Sequence, residues 1–258
     1  MKRLYLIFSF IISFSIFSYS QGTAGSNAKF EYRKLVDMQT AGVLEKGYVA
    51  VTSNVMPYGI FAFSMEVGVF ENLSFGISYG AENVIGVGDM IGYKYPGVNI
   101  KYRLINESKS MPALAIGFNS QGTGKFYKDL NRYDFKSDGF FLAASKNFSF
   151  LGYLSLHGEV NYTLEKEEGE KDINLKIGIE KTIGEMVSLV VEYDFAVNDN
   201  GTYSLGDGKG YLNAGLHVSL GKGFTFGIDL RDMLQNKKVK LGSAERGIYF
   251  EYITPVFN

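Results

Sequence analysis

The stretch DINLKIGIEKTIGEMVSLVVEYDFAV, residues 172–197, decides the fold. Read at alternate positions it separates into two faces. Ile173, Leu175, Ile177 and Ile179 lie on one, and Asn174, Lys176, Gly178 and Glu180 on the other. After a turn around Thr182 to Glu185 the pattern resumes. Val187, Leu189, Val191, Tyr193 and Phe195 oppose Ser188, Val190, Glu192, Asp194 and Ala196. A period of two with unlike faces is the mark of a β-strand. The pair reads as an antiparallel hairpin whose apolar face ends in aromatics and whose other face carries charge.

The same unit recurs from Gly47 onward, twelve strands in all. Leu73 to Tyr79, Gly97 to Leu104, Tyr153 to Leu164, Gly210 to Leu220 and Gly223 to Arg231 alternate cleanly. Gly139 to Lys146 leaves its facing ambiguous. Short links, such as Glu71-Asn72 and Gly221-Lys222, alternate with long ones, such as Gly80 to Pro96 and Ser120 to Asp138. That alternation predicts an all-β, transmembrane, up-and-down antiparallel barrel of about 12 strands in a bacterial outer membrane. Short turns and both termini lie in the periplasm and long loops outside. The competing reading is a soluble β-sandwich, in which the apolar faces turn inward.

Composition agrees with an exported barrel. The 258 residues include 31 glycines and 15% aromatics, but no cysteine, so no disulfide holds the fold. The net charge of -1 offers no basic surface to nucleic acid. Residues 1–20 read as a signal peptide: Lys2 and Arg3, an apolar run from Leu4 to Phe17, and small residues before Gln21. Residues 21–46 form a periplasmic lead or plug, and residues 47–258 the barrel. Gln21 to Asn27 reads as a flexible lead. Lys29 to Leu44 has no clean period and reads either as a short helix or as a segment folded into or under the barrel. Tyrosines near strand ends, among them Tyr79, Tyr93, Tyr102, Tyr153 and Tyr211, suit an interfacial belt. Pro255 is expected to interrupt pairing in the last strand; Phe257 stands where a barrel-insertion signal would end.

With apolar faces on lipid, the polar faces line the lumen. By strand direction Glu82, Asn83, Asn119, Gln121, Asn174, Asp194, Asn213, Asp229 and Arg231 gather at the outer mouth. There they either contact a glycan, small polar solute or cation, or anchor loops. Lys101, Arg103, Glu159, Lys176, Glu180 and Glu192 form charge pairs across the wall. Matching the polar faces of the opening hairpin sets Lys176 opposite Glu192 and Asn174 opposite Asp194. Ser155, His157 and Asn161 share one face, which raises a remote lipase reading. They face inward, however, and lack the fixed contacts of a triad. Two histidines make a multi-histidine metal site improbable, and no cofactor motif is present. Gly206-Asp207-Gly208-Lys209-Gly210 lacks phosphate-loop spacing and reads as an external loop.

Several stretches together resemble the family of YjbH-like barrel proteins. They are Val36-Asp37-Met38-Gln39-Thr40-Ala41-Gly42, Ser78-Tyr79-Gly80-Ala81-Glu82-Asn83-Val84-Ile85-Gly86, Pro96-Gly97-Val98-Asn99, residues 115–122, Ala143-Ala144-Ser145-Lys146 and Gly210-Tyr211-Leu212-Asn213-Ala214-Gly215. The resemblance implies an outer-membrane barrel associated with exopolysaccharide and carries over no catalytic residue. The expected function is non-enzymatic: a narrow channel or export accessory for polar solutes or exopolysaccharide. The alternative is a structural or adhesive barrel with a filled lumen. Membrane lipid and the barrel-assembly machinery are the expected partners.

Overall fold

A computed structural model describes residues 22–256. The expected signal peptide and Phe257 lie outside them. Twelve antiparallel strands form the wall: β1 Tyr48–Met56, β2 Ile60–Phe70, β3 Leu73–Glu82, β4 Gly97–Ile105, β5 Ala113–Asn119, β6 Gly139–Ser149, β7 Tyr153–Tyr162, β8 Asn174–Ile183, β9 Val187–Asp194, β10 Tyr211–Gly221, β11 Phe224–Arg231 and β12 Glu245–Pro255. Each pairs with its sequence neighbours, and β1 closes on β12 from Tyr48↔Pro255 to Val55↔Ile248. Closure leaves no free edge, as a wall in hydrocarbon requires. Pro255 does not interrupt the seam. It ends the strand, and the next amide, Val256 N, reaches Gly47 O at 2.8 Å.

The faces sort as the alternation predicts. Leu175, Ile177, Ile179 and Leu189 are 39–49% exposed, whereas Lys176 and Glu192 are 3% and 2% exposed. A sandwich would reverse those values. On β6 the ambiguity resolves with Phe141, Ala143 and Ser145 inward and Phe140 and Leu142 outward. Outward aromatics continue around the wall, with Phe224 stacked on Tyr252 and Phe226 tilted against Phe250.

The opening hairpin pairs two residues out of the expected register. Lys176 stands opposite Asp194 and Gly178 opposite Glu192, because Ile183 pairs with Val187 across a three-residue turn. A slip of two preserves both faces, so the alternation does not distinguish the two registers.

Two further elements lie inside or over the wall. Residues 123–135, expected as an open loop, make a hairpin of Thr123–Tyr127 and Arg132–Phe135. It folds over the long-loop mouth, and Arg132, Tyr133, Asp134 and Phe135 are all buried. Two expected belt tyrosines belong to this cap instead. Tyr93 OH donates to Gly124 O at 2.7 Å and packs edge-on against Tyr133. Tyr211 OH donates to Asp199 Oδ2 at 2.6 Å and packs on Phe135. Tyr79, Tyr102 and Tyr153 do face outward. The other element is the segment before β1.

Candidate functional site

Residues 22–44 lie within the barrel. Gly22 to Asn27, rather than hanging free, is docked at the short-turn end. Thr23 N donates to Thr225 Oγ1, Ala24 N to Ser219 Oγ and Gly25 N to Ser188 Oγ, at 2.9–3.1 Å. Glycine is required where the chain passes under a wall turn. Gly25 has φ +84°, and a Cβ there would stand 2.2 Å from Glu185 O. The following residues rise as a tight hairpin, not a helix. Leu35 N donates to Met38 O, Thr40 N to Arg33 O, and Lys34 bridges Gln39. The hairpin then descends beside β4–β6, where Ala41 packs on Ala113 and Ala115, and leaves through Leu44 to β1.

Wall charges hold the tip. The Glu192 carboxylate accepts the amides of Val36, Asp37 and Met38 at 2.9, 2.8 and 3.0 Å. Glu159 accepts Gln39 N at 2.6 Å. Arg231 grips Asp37 through Nε at 2.9 Å and Nη2 at 3.2 Å. Three exposed amides of a turn form an anion-binding concavity; here the anion is a side chain of the wall.

The residues expected to pair across the wall therefore meet this segment as much as one another. Lys101 Nζ donates to Arg33 O at 2.5 Å, and Arg103 Nε to Ala41 O at 2.9 Å. Arg103 also bridges Glu31. Lys176 pairs with Asp138, with Glu159 Oε1 3.8 Å away, and not with Glu192. Glu180 accepts from Ser188 and Ser155. Arg33, absent from the expected set, bridges Glu66 and Glu251 from opposite sides.

The residues expected at the mouth divide by task. Asn174 Nδ2 donates to Asp194 Oδ1 at 2.7 Å, while Asn174 Oδ1 and Asp194 accept Val197 N and Ala196 N. This fastens the chain leaving β9. Asn213 links Glu192 to Asp232 N. Asp229 holds His217 Nε2 at 2.9 Å. Asn119 reaches Asp138 and the Gln121 backbone. Glu82 accepts Phe126 N of the cap at 3.4 Å, and Asn83 donates to Asp89 O within its own loop. These contacts fasten loops and plug; they do not form one open ring. Ser155 and His157 serve other partners as well. Ser155 donates to Asn147 and His157 Nδ1 meets Ser145, so the triad contacts are not made.

In the cap Arg132 is fully buried between Glu168 and Asp199. Burial alone would raise the Asp199 pKa, but the Arg132 guanidinium and the Tyr211 hydroxyl outweigh it and hold the carboxyl below the usual range. Burial raises Glu165, which accepts the amides of Tyr133 and Ser137.

Between the hairpin and β1–β5 a cavity of about 140 Å³ remains, lined by polar side chains such as Asn54, Ser64, Asn99 and Gln121 and by apolar ones such as Val36, Met56 and Ala62.

Residues 26–159 match the model of the YjbH family, described as exopolysaccharide biosynthesis protein YbjH. No curated protein matches the chain. Among solved structures, the KdgM porin is similar, with a TM-score of 0.51 and 11% identity over 80% of this chain and 98% of that one. The KdgM porin in complex with disordered oligogalacturonate has a TM-score of 0.47 at 11% identity, over the same shares. The NanC porin has 0.43 at 7%, also over 80% and 98%. At 11% identity the first of these likenesses is one of fold, that of a porin-type barrel.

Proposed function

The chain belongs to the YjbH family of exopolysaccharide biosynthesis proteins, and from that premise we propose that it is a bacterial outer-membrane barrel that passes, or helps to export, polar solutes or exopolysaccharide. In this reading the short-turn end faces the periplasm and residues 22–44 close the lumen at rest. It performs no catalysis. Lipid surrounds its apolar belt, the barrel-assembly machinery inserts it, and a glycan or small polar solute is its cargo.

One observation carries the reading. The lumenal charges are satisfied largely by a segment tethered to the wall at Tyr48, and a cavity of mixed polar and apolar lining is left beside it. A lumen filled from wall to wall is permanent. A lumen filled by a tethered segment opens when that segment moves. The cap over the long-loop mouth favours a second reading, a structural or adhesive barrel that never conducts. Planar-bilayer recording separates them. The mature chain is expected to be quiet, and the chain lacking residues 22–44 to carry a stable current. Silence from both selects the structural barrel.

A further inference from the structure

The hairpin fills the lumen unevenly. On one side it is seated on β8–β10. Leu35, Val36 and Met38 cluster with Val190, and a Cβ on Gly178 would stand 2.4 Å from Leu35 Cδ1. On the other side it stands away from β1–β5, leaving the cavity already described. A second cavity of about 410 Å³ opens at the short-turn end among Lys46, Glu71, Asn72 and Arg103. Both lie along the same strands, and Arg33 lines both.

Arg33 spans the gap between them. Its Nε meets Glu66 at 2.9 Å and its Nη2 meets Glu251. Its remaining nitrogen, Nη1, is buried with no hydrogen-bond partner, and so is Asn99 Oδ1 on the cavity wall. Unpartnered polar atoms bordering a cavity are the groups that water or a polar solute satisfies. The hairpin backbone is pinned from the opposite wall by Glu192, Glu159 and Arg231. Arg33 is thus the residue common to both cavities, and the hairpin tip is held independently of its side chain.

We infer that polar solutes pass along the β1–β5 side of the hairpin, and that the Arg33 bridge to Glu66 and Glu251 is the latch between two half-channels. The inference rests on the channel reading above and adds its path and its gate.

The chain has no cysteine, so introduced thiols report without background. Two latch variants are recorded in bilayers beside the mature chain and the chain lacking residues 22–44. One is Arg33→Ala. The other is Glu66→Gln with Glu251→Gln, which keeps side-chain shape should Arg33→Ala not fold. Current is expected in a latch variant where the mature chain is quiet, and it should be smaller than that of the deletion. In the conducting variant, a charged thiol reagent on Ser64→Cys should abolish the current. The same reagent on Ser155→Cys, which faces inward from β7 across the lumen and does not touch the hairpin, should leave it. Silent latch variants beside a conducting deletion overturn the latch and spare the channel. Block through Ser155→Cys, or none through Ser64→Cys, overturns the path. A silent deletion removes the channel reading, and the path with it.

Discussion

Replacing Glu192 by alanine leaves the amides of Val36, Asp37 and Met38 without their acceptor. Each orphaned donor costs about 1–3 kcal/mol, so for three the tip should lose roughly 3–9 kcal/mol of anchorage. Trypsin reads the result: the bond between Arg33 and Lys34, protected in the folded chain, becomes cleavable while the wall stays intact. Arg231→Ala should loosen the tip as well, because it leaves Asp37 as an unpaired charge beside it. Breaking such a pair from one side costs about 3–5 kcal/mol. Adding Asp37→Asn should restore most of the loss, which denaturant titration of the single and double variants measures. Without that recovery, Arg231 serves something other than Asp37.

At the level of elements, the cap is a separate fastening. Asp199 has its carboxyl held below the usual value, so the stability it contributes is present above about pH 4, the ordinary aspartate value, and is lost as pH falls through the folded one. Glu165 is raised, so its contribution is complete below its ordinary value and fades as pH rises through the folded one. The cap hairpin is therefore expected to stay fastened to its neighbouring loops at neutral pH and to loosen in acid below about pH 4. A spin label on Lys128→Cys, in the turn of the cap hairpin, should gain mobility there. Asp199→Asn should gain it already at neutral pH. The wall strands were legible in the sequence because a face on lipid and a face on water impose a period of two. Neither the cap nor the plug meets lipid, so neither carries that period. Residues 33–40 follow the wall charges they meet, and Glu192 and Glu159, which hold the tip, come from strands more than 100 residues away. The cap had a local signal that was missed: Thr123 to Tyr127 and Arg132 to Phe135 flank Lys128-Asp129-Leu130-Asn131, and Asn131 takes φ 47°. Arg33 had none, since one arginine in an aperiodic stretch looks like any other.

For the whole molecule the outward belt is the decisive feature. Ile179 sits near the middle of β8 with 46% of its surface exposed. Ile179→Arg should cost about 2–4 kcal/mol in a bilayer, the range for a basic residue at mid-depth. Unfolding in urea from lipid vesicles measures this. An unchanged midpoint would mean that this face does not meet hydrocarbon.

The seam between β1 and β12 adds a constraint in time. Those strands lie at opposite ends of the chain and meet only when the cylinder shuts. The segment running into β1 spans the bore from Ser188 and Thr225 to Leu44. Both ends of that segment lie at the short-turn end, so the hairpin is a loop pushed into the bore from one side and tied there at both feet. A curved sheet still ajar can wrap around such a loop, and the last seam to shut then clasps it in place.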